Sequence, residues 1–94
     1  MTSNLLAASL EIAVSLRICE LKQMGYIPSD WQANAQSTVN DICSRADELL
    51  YGGQNKGEVA KLFNRLACAI AVLAFQPGGV NIFGFKAEAT FPEQ

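Results

Sequence analysis

The sequence predicts a mainly α fold, a three-helix antiparallel bundle with a short extended or β C-terminal tail, and three observations lead there. Three apolar-periodic segments run without interior proline. Glycine or proline punctuates the chain after each of them. Beyond Gly79 the apolar period drops from about 3.6 residues to about 2. Half of the 94 residues are hydrophobic and 17% are charged, too apolar for a disordered chain, and this length suits one domain over residues 1–94.

The first helix is expected over 4–24, where small and straight-chain residues dominate, Ser3 or Asn4 is available as a cap and Gly25 as a stop. It carries two apolar stripes. Leu6, Leu10, Ala13, Leu21 and Met24 form one, and Leu5, Ile12, Leu16 and Cys19 lie on another side. One neighbouring helix cannot cover both, so this helix is either central or part of an interface.

Gly25 to Pro28 make a connector, and Ser29 with Gln32 has the spacing of a capping box that opens a second helix over about 30–51. Trp31, Ala35, Val39, Ile42, Ala46 and Leu49 recur every three or four residues as its inner stripe, and Gly52 and Gly53 close it. Asn55 and Glu58 repeat the cap spacing ahead of a third helix over 56–75, with Val59, Leu62, Phe63, Leu66 and Ile70 as its stripe. Every residue from Leu66 to Phe75 is apolar, too short a run to cross a bilayer and suited to a helix surrounded by protein.

Pro77, Gly78 and Gly79 break that helix. In the tail, about 80–91, Phe83, Phe85, Ala87, Ala89 and Phe91 alternate with Lys86, Glu88 and Thr90, which predicts extended backbone. An isolated strand leaves its backbone groups unpaired. The tail must therefore fold back as a hairpin around Gly84, pair with another chain, or lie on the helices.

The chemistry available is limited. The chain has no histidine, which excludes serine–histidine and cysteine–histidine catalysis within one chain and removes the commonest metal ligand. Asp41, Asp47 and Glu48 are the nearest approach to a carboxylate cluster, but Asp47 points away from the face shared by the other two, as on an ordinary solvated helix. Gly52 and Gly57 have phosphate-loop spacing, yet Glu58 and Val59 stand where lysine and a hydroxyl are needed. Cys19, Cys43 and Cys68 fall in three different helices without C-x-x-C spacing; they read as reduced, buried small residues. No cofactor is expected.

Seven Lys and Arg against nine Asp and Glu give a charge of −2, which disfavours nucleic acid, as does the scatter of the basic residues, Arg45, Lys61 and Arg65 being the one conceivable patch. The apolar start lacks a basic leader, and Glu11 and Arg17 interrupt any membrane span, so a cytoplasmic location is expected. The surplus apolar surface points to a non-catalytic protein–protein interaction module, most simply a homodimer, with Leu5, Ile12, Leu16, Trp31, Phe83, Phe85 and Phe91 as interface candidates. The alternatives are a small regulator or inhibitor that binds a different protein through the first helix and the tail, and a carboxylate-based metal-dependent hydrolase of a small phosphorylated compound.

Overall fold

The computed structural model describes residues 2–45 and 56–92, with side chains from 7 to 45 and from 57 to 92. Three helices, α1 (Thr2–Met24), α2 (Ser29–Ser44) and α3 (Lys56–Leu73), precede strands β1 (Val80–Ile82) and β2 (Phe85–Ala87). The fold is mainly α, three packed helices with a C-terminal two-stranded antiparallel hairpin.

α1 begins two residues before its expected start, so Ser3 and Asn4 lie inside the helix rather than capping it. It ends as the sequence implies: Gly25 takes φ +86° and its N–H donates to the Leu21 carbonyl at 3.3 Å, a left-handed closure without a Cβ clash. The capping box expected at Ser29 does not form. Pro28 is the N-cap residue, with extended backbone and no side-chain cap, and the Trp31 N–H closes the first turn on the Pro28 carbonyl at 3.0 Å. Proline fixes its φ where a helix entry needs it and so takes the position one residue earlier. The expected end of the second helix over 46–51, the Gly52–Gly53 stop and the Asn55 cap lie outside the described residues.

α3 is the middle of the molecule. Both α1 and α2 pack against it and scarcely touch each other. Leu66, Ala67 and the run from Ala69 to Ala74 are buried, with Ala67, Ile70, Ala71 and Ala74 fully so. α1 contributes Leu10, Val14 and Leu21 to this core, and α2 contributes Ala35, Val39 and Ile42. Spacings of three, four and seven residues put each set on one face of its helix.

The end of α3 turns into the hairpin through a chain of short-range bonds. Phe75 and Gln76 donate to the carbonyls of Val72 and Leu73, and Gly79 donates to Gln76 at 2.9 Å. Gly78 and Gly79 have φ of +83° and +69°, and a Cβ on Gly79 would collide with the Ala87 carbonyl oxygen and stand 2.9 Å from the Glu88 Cβ. Only glycine lets the chain reverse this close to β2.

Of the three options open for the tail, the chain folds back on itself. The register is Val80 to Ala87, Asn81 to Lys86 and Ile82 to Phe85, and the two-residue loop is Phe83–Gly84. Both loop residues have positive φ, +51° and +83°, the pattern of the type I′ turn that matches strand twist. β2 lies on α1 and α3, with Ala87 and Ala89 buried and Lys86, Glu88 and Thr90 exposed, as the alternation implies. The Ala89 N–H donates to the Ala74 carbonyl at 2.9 Å, and the Phe91 ring stacks on Phe75 at 4.5 Å. These contacts close the tail over the end of α3.

Candidate interaction surface

α1 is apolar on opposite sides, and among the described residues only one side is packed internally. Leu10, Val14 and Leu21 face α3, while Ile12 and Leu16 point away from it and are 65% and 61% exposed. Ile12 and Leu16 are one turn apart on the same row, and Cys19, three residues beyond Leu16, is exposed on the same side. The side chain of Leu5, the remaining member of this stripe, lies outside the described residues.

A groove lies where α1 and α2 fail to meet. Its volume is 470 Å³. Arg17, Glu20, Leu21 and Met24 of α1 form one wall, and Trp31, Ala35 and Thr38 of α2 form the other. Arg65, Cys68, Ala69 and Val72 of α3 form the floor. Arg17 is held by Glu20 at 2.7 Å, whereas Arg65 has no ion pair among the described residues. Trp31 is 38% exposed here, so its ring is shared between the groove wall and solvent.

The tail candidates divide. Phe85 is half-buried against the core and Phe91 is half-buried on Phe75, so both rings have partners in their own chain. Phe83 sits in the turn, off the face shared by Phe85, Ala87 and Ala89, and is 44% exposed. A bulky residue at positive φ is costly, and its ring gains little burial in return.

The cysteines differ from expectation. Cys19 and Cys68 are exposed and only Cys43 is partly buried. Cys68 belongs to the apolar run of α3 but looks into the groove, where neither outer helix covers it. Burial pushes the Cys43 thiol above its ordinary pKa. Of the acidic trio, Asp41 is bridged to Arg45 at 3.0 Å, and Asp47 and Glu48 lie outside the described residues. Among the described residues no three His, Cys, Asp or Glu side chains gather as metal ligands, and no helix is long and apolar enough to cross a membrane. Of the conceivable basic patch, Arg45 is engaged by Asp41 and Lys61 lies 3.9 Å from Glu58.

The stripes name several of the groove residues, Leu21, Met24, Trp31 and Ala35, but the period of each helix says nothing of the gap between α1 and α2 that opens over Cys68 and Ala69. Val14 was missing from both stripes, although Leu10, Val14 and Leu21, at intervals of four and seven, mark the inner face. Comparison with protein-family models, with curated proteins and with solved structures gives no match.

Proposed function

We propose that this chain is a non-catalytic protein–protein interaction module that self-associates as a homodimer through the outer face of α1. The observation that carries the proposal is the exposure of Ile12 and Leu16 on a helix whose opposite side is already committed to the core. A helix apolar on both sides fits between two layers of protein, and one chain supplies one layer.

Two exposed thiols, Cys19 and Cys68, suit a reducing compartment such as the cytoplasm.

The test is absolute mass by light scattering over a range of concentrations. The expected result is a dimer that the double variant Ile12→Glu, Leu16→Glu converts to a monomer with unchanged helical content. A wild-type chain that stays monomeric at every concentration overturns the proposal.

A second reading, a small regulator that holds a different protein, draws on Phe83, an exposed ring kept at an unfavourable backbone conformation. It requires a monomer that retains the α1 patch. The hydrolase reading draws no support from the described residues, where Arg45 already holds Asp41.

A further inference from the structure

We infer that the surface receiving the outer stripe of α1 is the groove between α1 and α2 of a second copy, two chains docking reciprocally, stripe into groove, about a twofold axis. This rests on the self-association proposed above and names its receiving site.

Length and shape come first. The floor from Arg65 to Val72 spans about two helical turns, roughly 11 Å. That length accepts apolar anchors four residues apart, the spacing of Ile12 and Leu16. The groove is a trough between two helices resting on a third, open along its outer side. A small ligand in a trough is covered on one side only, whereas ligand pockets enclose about 70–90% of their occupant. A helix needs only its apolar stripe covered, so a helix suits the shape better.

Charge follows the same direction. On the groove, Arg17 and Glu20 satisfy each other and Arg65 is left without an ion pair among the described residues. The stripe is flanked by Glu11 and, three turns further on, Lys22 on one side and by Glu20 on the other, and Glu11 has no ion pair among the described residues. A seated α1 stripe therefore brings an available carboxylate toward an available guanidinium, which favours this register over a neutral helix.

Area selects a second copy rather than a foreign helix. One two-turn stripe in a groove buries only a few hundred Å², well below the ~800 Å² per partner of stable interfaces. Each chain carries both a stripe and a groove, so twofold symmetry makes the contact twice and closes the assembly.

The sole tryptophan, Trp31, stands in the groove wall and reports on its occupancy, and Cys68 on the floor reports independently. The experiment dilutes the wild-type protein through dissociation while recording mass, Trp31 emission and alkylation of Cys68 by iodoacetamide. The expected result is a red shift of Trp31 and at least a tenfold faster modification of Cys68, both with the midpoint of the mass change. Arg65→Glu should raise the dissociation constant about tenfold, and Glu11→Arg on that background should recover most of the loss. A dimer that dissociates with Trp31 emission and Cys68 reactivity unchanged, or an Arg65→Glu chain of wild-type affinity, overturns the groove as acceptor and leaves self-association standing. A wild-type monomer at all concentrations removes both.

Discussion

α3 and α1 are the two most apolar helices of the molecule, and they are covered very differently. α3 packs against α1 on one side, α2 on another and β2 beyond, so nearly its whole second half is buried. α1 meets α3 and β2 on its inner side, and on its outer side Ile12 and Leu16 are 65% and 61% exposed, with no other described element packed on them. Apolar character alone therefore does not say what covers a helix; position in the packing order does. A middle helix can be apolar on all sides within a monomer, whereas the same pattern on an outer helix leaves one apolar face exposed, the face that the proposed self-association would cover.

The largest expected effect separates the two helices directly. Ile70→Ala, in the fully buried part of α3, should cost about 2–5 kcal/mol of stability through lost burial and a residual cavity. Leu16→Ala, measured at a concentration where the protein is monomeric, should change stability by no more than about 0.5 kcal/mol. Urea denaturation of both variants checks this; equal losses would mean that the outer face of α1 is covered within the chain.

Coverage of α3 by the hairpin depends on Gly79. Gly79→Ala sets a Cβ against the Ala87 carbonyl at a positive φ and should destabilise the fold by about 2–4 kcal/mol. Thermal unfolding measures it, and Gly78→Ala, which has open space at its Cβ, is the control that isolates the collision from the backbone conformation.

The hairpin tip should respond in the opposite sense. Asparagine tolerates the first position of a type I′ turn better than phenylalanine, so Phe83→Asn should stabilise the chain by about 1 kcal/mol. For a domain of this size that is about 4–8 °C in Tm, read by circular dichroism. A lower Tm would mean that the Phe83 ring is packed more usefully than its 44% exposure implies.

The smallest effect concerns Cys43. Burial raises its thiol pKa in the folded chain above the ordinary 9.0. Its contribution to stability is complete below the unfolded-state value and is lost as pH climbs through the raised folded value. Denaturation at pH 7 and pH 10 should show a slightly greater loss for wild type than for Cys43→Ala; identical losses would remove any role for this thiol.

Much of the architecture was legible from residues 2–45 and 56–92. Gly25 stops α1 because its missing Cβ permits the left-handed turn, whereas α3 ends at Leu73, two residues short of the expected Phe75, where Phe75 and Gln76 tighten to three-residue bonds ahead of the Pro77–Gly79 turn. The amphipathic period of α2 named Ala35, Val39 and Ile42 as its buried face. Small offsets arose at helix starts, where Pro28 displaced Ser29 as the cap. The cysteines were misread because their type favours burial while their positions, on the outer face of α1 and over the open groove, do not.

The sequence by itself determined where helices form, where they break and which faces are apolar, because propensity, glycine and proline geometry and side-chain period act over a few neighbouring residues. Only the tertiary structure decided which apolar face stays uncovered. It also decided that the tail pairs with itself and presses Ala87 and Ala89 onto the helices, that Phe85 and Phe91 find partners within the chain, and that α1 and α2 leave a groove above Cys68 and Ala69. These outcomes depend on the spacing of helices far apart in the chain. Residue period specifies a face, and packing alone specifies what lies opposite it.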